Sequence, residues 1–303
     1  MNIKLAPTKN IVRLTSMLFG KKNTVYFRTF ISYTIIIVSI IMLFGIAVYL
    51  IFSSIFIKEV SNANKHIIET ESKIINQEIV NFVKDLSIKI IIEQEWANIE
   101  YLFNNNSIDT YNRIYNGYTF LKSKVYNSWD IVDSISIYFD NKNIVLSSKS
   151  GLSFLDSKNT KYCFEKDIFN DMMEKKLCEY WTGVRTINET AAPHKKVFSY
   201  IRLYPYGSKY HDAKGCIIID INHSALERII CCHGNKWGST YIINQDDSII
   251  ASSETIFDPI SEVEVDKVND NYCSDNVLMI RKNDMICSII LLSNNNWKLV
   301  RIV

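Results

Sequence analysis

Ile137-Tyr-Phe-Asp-Asn-Lys-Asn-Ile-Val-Leu-Ser-Ser148 returns later in the chain as Ile242-Ile-Asn-Gln-Asp-Asp-Ser-Ile-Ile-Ala-Ser-Ser253. Each copy is an apolar run, a polar turn, a second apolar run and a pair of serines, the pattern of a β-hairpin. A second correspondence follows each of them. Val197-Phe-Ser-Tyr-Ile-Arg-Leu203 matches Ile286-Cys-Ser-Ile-Ile-Leu-Leu292, and each precedes one more strand-like run, Gly215-Cys-Ile-Ile-Ile-Asp-Ile221 and Trp297-Lys-Leu-Val-Arg-Ile-Val303. Two matches in one order make an internal repeat of hairpin, variable middle and hairpin. Each copy predicts an antiparallel sheet whose apolar faces need helical cover, so the fold class is α+β. In the first copy the middle runs from Gly151 to Lys196 and holds a helix-like stretch, Glu165 to Tyr180; in the second it is shorter and more polar.

Upstream of the repeat, Val60, Ala63, Ile67, Ile74, Ile75, Ile79, Phe82, Val83, Leu86 and Ile90 recur at helical spacing, interrupted by polar Thr70 and Glu71. Such a narrow stripe suits a core-facing helix or a seam that pairs with a second copy, and both readings stay open for different turns. Before it, no charged residue occurs from Thr29 to Ile57, and Arg28 and Lys58 bracket the run. The run is apolar on every face and exceeds the roughly 20 residues a bilayer core demands. It is also longer than a signal-peptide core, and no small-residue cleavage site follows it. Lys4, Lys9, Arg13, Lys21, Lys22 and Arg28 precede it without an acidic residue among them. This bias predicts a cytoplasmic N-terminus, with the residues after Lys58 outside the cytoplasm. The expected divisions are a basic tail 1–28, a transmembrane helix 29–57, a juxtamembrane helix 58–105 and two sheet units, 106–222 and 223–303.

Across its 303 residues the chain is 48% hydrophobic and 22% charged, which excludes wholesale disorder, and its net charge of +2 carries no message about partners. The basic tail reads as topogenic, and no nucleic-acid contact is expected. Nucleophile elbows, phosphate-binding loops, dinucleotide fingerprints and zinc-protease motifs are all missing from the sequence, so no catalytic residue and no cofactor is expected. The five histidines are scattered; His223 and His233 flank Cys231-Cys232, but adjacent cysteines suit one metal poorly, and no metal is expected. Seven cysteines leave at least one unpaired within the chain. Cys163 with Cys178, or Cys273 with Cys287, are conceivable disulfides, and buried free thiols are the alternative.

A span, an exit helix and two hairpin–insert–hairpin units resemble the double Cache, or tandem PAS-like, sensor domains of bacterial receptors. The resemblance rests on Ser136 to Ser148, Trp181-Thr-Gly-Val-Arg185, Ser199-Tyr-Ile-Arg202, Gly215-Cys-Ile-Ile-Ile-Asp-Ile-Asn222, Tyr241 to Ser253 and Asn296-Trp-Lys-Leu-Val300, and extends over Val25 to Val303. It implies an extracytoplasmic small-molecule sensor, similar to the outer halves of AraC-type membrane regulators and of sensor histidine kinases. In both, a second span and an output domain would follow; neither is read here, so the chain is expected to be the sensor half of a truncated receptor or an orphan sensor subunit. A membrane-tethered binding or surface protein is the alternative.

The same resemblance implies a pocket between the first sheet and its covering insert, where Trp181 and Asp220 match ligand-contacting positions. Tyr138, Arg185, Tyr200 and Arg202 join them by strand alternation or proximity. Trp and Tyr would form an apolar wall with polar handles, Arg would clamp a carboxylate, and Asp would receive an ammonium. The competing reading makes Trp181 a core residue at a sheet–helix junction, Asp220 a strand-end cap and Arg202 a solvated strand residue. Amino-acid-binding relatives carry an Arg just before the Trp, where this chain has Lys175 and Lys176. Implied partners are thus a small carboxylate or amine, the lipid bilayer, and a second copy paired through the juxtamembrane helix.

Overall fold

The computed structural model describes residues 24–93, 108–155, 163–187, 195–233, 238–244, 248–253, 277–282, 285–292 and 297–303. Most of the basic tail, the end of the expected juxtamembrane helix and Cys273 lie outside them. The chain divides into two compact units, Met1–Val60 and Ser61–Val303.

Helix α1 runs over Thr24–Ile75. In the first unit its large apolar side chains between Ile35 and Phe56, Val48 excepted, are exposed. Among the described residues one helix, Val25–Ile92, is long and apolar enough to cross a membrane; its best 18-residue window has a mean hydropathy of 3.0, none of it buried. The hydroxyls of Thr29 and Thr34 donate to the carbonyls of Val25 and Phe30 at 2.9 Å, the internal bonding that lets polar side chains enter a hydrocarbon layer.

The second unit starts on the last turns of α1. These pass into a π-helical segment, Asn76–Asn81, and then into α2, Phe82–Ile92. Ile75, Ile79, Val83, Leu86 and Ile90 of the predicted stripe are buried, as the core-facing reading requires. Lower down the buried face differs from the predicted one. Asn64, Ile68, Glu71 and Ser72 point inward, while Ala63 is exposed and Ile67 and Ile74 are half-buried. Glu71, which interrupts the apolar pattern, is fully buried because Arg301 lies 3.5 Å from it.

After helix α3 (Ile108–Tyr126) come strands β1 (Val132–Phe139), β2 (Ile144–Ser147) and β3 (Gly151–Phe154), then helix α4 (Phe164–Glu174). Strands β4 (Glu179–Trp181), β5 (Arg185–Ile187), β6 (Lys195–Tyr204) and β7 (Gly215–Asn222) complete the first sheet, and α5 (His223–His233) leads on. The second sheet holds β8 (Ser239–Ile243), β9 (Ile249–Ser252), β10 (Val277–Lys282), β11 (Met285–Leu292) and β12 (Trp297–Ile302). Helix α4 is shorter than the stretch Glu165 to Tyr180. It stops because Lys176 takes a left-handed φ of 57°, and Leu177 N–H then reaches back to the Met172 carbonyl at 2.9 Å. That closure ends a helix regardless of the pattern beyond it.

The strand orders are β3-β2-β1-β7-β6-β4, with β5 also on β6, and β10-β11-β12-β8-β9. Reversing the second gives β9-β8-β12-β11-β10, the order of β2-β1-β7-β6-β4, so the repeat is a repeat of topology. Both hairpins match in register: Ile137 faces Leu146, and Ile242 faces Ala251. The repeated serines close them identically. Ser148 Oγ accepts Ile135 N–H at 3.0 Å, and Ser253 Oγ accepts Thr240 N–H at 2.9 Å. The other correspondence slips by one residue. Ile217 faces Arg202 whereas its counterpart Leu299 faces Ile290, which aligns Ser199 with Cys287 rather than with Ser288.

One apolar cluster joins the helix (Ile75, Ile79, Val83, Ile90) to the near faces of both sheets, through Ile217, Ile219 and Ile221 of the first and Ile290, Leu292 and Leu299 of the second. The sheets meet where Trp181 contacts Trp297, ring centroids 5.2 Å apart. Burying each such side chain contributes about 1.5–3 kcal/mol. Gly215 lies where β1 passes so closely that a Cβ would sit 1.9 Å from the Tyr138 carbonyl oxygen. Gly215→Ala should therefore cost about 3 kcal/mol in denaturant unfolding of the full chain. Gly183→Ala, whose Cβ would come no nearer than 3.5 Å to a neighbour, should change stability by no more than about 0.5 kcal/mol.

Candidate functional site

Side chains alternate across a strand, so each strand of the first sheet has a helix-facing and an outward-facing set. On the outward face β1, β7 and β6 align in rows. Tyr138, Cys216 and Leu203 make one row, and Ser136, Ile218 and Ile201 the next. Helix α4 packs Ile168, Phe169 and Met172 onto the apolar part of this face, over Tyr138, Val145, Ile201, Leu203, Cys216 and Ile218. The third row is Ser134, Asp220 and Ser199, and it is polar throughout.

In that row Ser134 Oγ donates to Asp220 Oδ2 at 2.7 Å, and Ser199 Oγ donates to Oδ1 at 2.6 Å. Arg185, which faces Val197 across β5 and β6, brings a guanidinium nitrogen within 2.5 Å of Asp220 Oδ1. The Arg185 guanidinium also lies 3.8 Å over the ring of Phe164, the first residue of α4. Asp220 is thus a buried carboxylate held by two hydroxyls and one cation, and that cation is 28% exposed and reachable from solvent. Beside the row, a bulge between Val132 and Ser134 redirects Asp133, whose buried carboxylate takes Lys149 Nζ at 2.7 Å and also binds Lys195. The corresponding row of the second sheet is Ser239, Ile302 and Cys287. It carries no charge.

Of the six residues singled out in the sequence, the structure brings Asp220 and Arg185 into contact. Tyr138 shares their face four residues along β1 from Ser134, about 13 Å away. Its ring lies against Phe169, and its hydroxyl donates to Asp140 or Asn143 at 3.1 Å. Burial, then the Asp140 carboxylate, push the Tyr138 hydroxyl far above its ordinary pKa. Trp181, Tyr200 and Arg202 occupy the opposite, helix-facing side. Trp181 is buried 4.8 Å from Tyr200, 6.2 Å from Phe198 and 5.2 Å from Trp297, ring to ring. Arg202 donates to Glu179 Oε2 at 2.9 Å and, through Nε, to the Tyr200 hydroxyl at 2.9 Å. Tyr200 donates to the same Glu179 oxygen at 2.6 Å, and Lys84 of α2 holds the other at 2.8 Å.

The sequence reading missed Ser134, Ser199, Asp133 and Phe164. A Ser-x-Ser alternation at 134 and 136 was the available signal, but only the strand register puts Ser134 and Ser199 on either side of Asp220. Cys163, Cys178, Cys216, Cys231 and Cys287 are free thiols, so the pairing of Cys163 with Cys178 is not formed. Burial pushes Cys287 up to about 11 and Cys216 well above its usual value, which keeps both protonated and inert. Among the described residues no group of three or more His, Cys, Asp or Glu side chains is arranged to hold a metal ion.

No protein-family model matches the chain, and no curated protein matches it in sequence. Solved structures do. The sensory domain of the Campylobacter jejuni chemoreceptor Tlp3 with isoleucine bound is 13% identical over 81% of this chain and 93% of that one, with a TM-score of 0.54. The ligand-binding domain of the Pseudomonas fluorescens chemoreceptor CtaA, in complex with L-isoleucine, is 10% identical over 81% and 92%, with a TM-score of 0.51. The sensor domain of the V. cholerae histidine kinase DctB is 13% identical over 81% and 97%, with a TM-score of 0.50. The fold is that of a double Cache sensor domain, shared with chemoreceptors and histidine kinases.

The Glu179 cluster yields a pH test. Burial raises the Glu179 carboxyl, but the hydrogen bonds from Lys84, Tyr200 and Arg202 outweigh it and hold the group below its usual value of 4.5. A depressed carboxyl stabilises the fold above its unfolded pKa, and that contribution is lost as the pH falls further. The unfolding midpoint should drop below about pH 4.5, and Glu179→Gln should reduce the drop. Identical pH curves for the two proteins would exclude this role.

Proposed function

We propose that the chain is the extracytoplasmic small-molecule sensing module of a membrane-bound signal-transduction protein, and that its ligand binds the first sheet at Asp220 and Arg185. The observation that carries this reading is the polar row Ser134–Asp220–Ser199 capped by Arg185, set against the uncharged row Ser239–Ile302–Cys287 of the equivalent sheet. A buried, solvent-reachable ion pair is a poor way to gain stability and a good way to receive charge. A ligand ammonium would replace the guanidinium on Asp220, and a ligand carboxylate would take the guanidinium so released. A small carboxylate, amine or zwitterion is the ligand class. Isoleucine in the two chemoreceptor structures makes aliphatic amino acids the first screen.

Asp220→Asn and Arg185→Ala should abolish ligand-induced thermal stabilisation, which at a ligand concentration a hundred times its Kd amounts to about 2.7 kcal/mol. Asn keeps the hydroxyl partners of Asp220, so the first variant should remain folded. Trp181→Phe, on the other face, should keep the ligand response. Loss of the response in Trp181→Phe alone would move the site across the sheet.

The finer reading makes this the sensor half of an AraC-type regulator or of a histidine kinase. The kinase alternative has a structural neighbour in DctB; the transcriptional one rests on the sequence resemblance. The positive residues ahead of Thr29 support a cytoplasmic N-terminus and an extracytoplasmic sensor. Pairing with a second copy is supported by Ala63, Ile67 and Ile74, an apolar strip on α1 that the chain's own sheets leave partly uncovered. Single cysteines at Ile67 and Ile74 should crosslink between copies in membranes, and one at exposed Lys73 should not. Equal crosslinking at all three positions would remove the seam.

A further inference from the structure

A cleft of about 340 Å³ shares no lining residue with the polar row and is formed by Glu78, Ile79, Asp130, Ile131, Ala225, Arg228 and Ile229. Three separate elements converge on it. The π-helical segment contributes Glu78 and Ile79, the turn before β1 contributes Asp130 and Ile131, and one face of α5 contributes the rest at helical spacing of three and four. The floor is apolar, with Ile79 and Ala225 almost fully buried. The rim is charged, and unevenly so. Arg228 is fixed by donating to the Asp130 backbone carbonyl at 2.9 Å. The side-chain carboxylates of Glu78 and Asp130 are exposed and have no hydrogen-bond or ion-pair partner among the described residues.

We propose that this cleft is a second binding site, for a small organic cation with an apolar body, separate from the Asp220 site. Its volume falls in the range of about 300–1,000 Å³ that small-molecule sites occupy. Ile79, Ile131, Ala225 and Ile229 would bury the body, and the carboxylates of Glu78 and Asp130 would receive the cationic head. Two carboxylates against one guanidinium leave the rim with a net negative charge, so an anion is disfavoured and a monocation completes the balance. The wall formed by Glu78 and Ile79 adds a second argument. Residues 76–81 are the only described turn of the long helix whose backbone bonds run i→i+5, and such turns recur at functional sites because they re-aim side chains. The bound cation therefore touches the helix at its one irregular turn.

The test uses the full chain in lipid nanodiscs, with phenethylammonium as the probe and phenylacetate as its anionic counterpart, followed by calorimetric titration. Phenethylammonium should bind saturably and phenylacetate should not. Glu78→Gln with Asp130→Asn should weaken the amine about tenfold; both positions are exposed and the replacements isosteric, so the fold is preserved. Asp220→Asn should leave amine binding in place, which separates this site from the one on the first sheet. No saturable amine binding up to millimolar concentration would overturn the proposal. So would equal binding of phenylacetate, affinity unchanged in the double variant, or affinity lost in Asp220→Asn.

Discussion

Two sheets share one helix, and most of the remaining structure follows from that constraint. An antiparallel sheet with one uncovered apolar face is unstable in water, and here one face of the long helix reaches the near faces of both sheets, joined by Leu121 of α3 and by Ala225, Leu226 and Ile230 of α5. Ile75, Ile79, Val83 and Ile90 are entirely or almost entirely buried, and the aromatic seam of Trp181, Phe198 and Trp297 fills the place where the sheets adjoin. The large aromatic side chains of the helix-facing layer are thereby committed to packing. Trp181 and Tyr200 lie in this layer, and the polar atoms of Tyr200 and Arg202 are absorbed by Glu179 and Lys84. The Asp220–Arg185 pair lies on the outward face.

The two copies of the repeat use the shared helix differently. The first sheet meets it through apolar contacts supplemented by the Lys84–Glu179 pair. The second adds buried polar groups to its apolar contacts: Asn64 donates to Ser288 at 2.9 Å, Thr240 donates to Glu71 at 3.4 Å, and Arg301 donates to Thr240 at 2.9 Å. Burial lowers the Arg301 pKa, opposed by the Glu71 carboxylate. A buried pair of this kind adds little over well-packed apolar residues, but deleting one partner costs about 3–5 kcal/mol. It makes any other alignment of the helix on β12 expensive. The outward faces diverge in the opposite sense, with charge kept in the first sheet and replaced by Ile302 and Cys287 in the second.

The repeat was legible because period and order survive where residue identities do not. The paired hairpins, the closing serines and the long apolar run could all be read from the chain, and with them the fold class. Slippage of the second correspondence by one residue could not. Ile-rich strands such as Val197 to Leu203 and Ile286 to Leu292 match nearly as well in either register, and one residue of slip moves every side chain to the other face.

The candidate site divides along the same line. Local sequence determined that the chain has a helix long and apolar enough to cross a membrane, an amphipathic helix beyond it, two sheets of one topology, and an Asp and an Arg in the first. Which residues meet was decided only by the tertiary structure. Asp220 faces Ser199, Trp181 faces Tyr200, and neighbouring positions on β6 point to opposite sides of the sheet. Arg185 reaches Asp220 because β5 pairs with β6 at Val197, thirty-five residues of chain separating the two charges. Alternation is a property of each strand alone, whereas register belongs to the pair, and it is register that places Trp181 in the core and Asp220 beside Arg185.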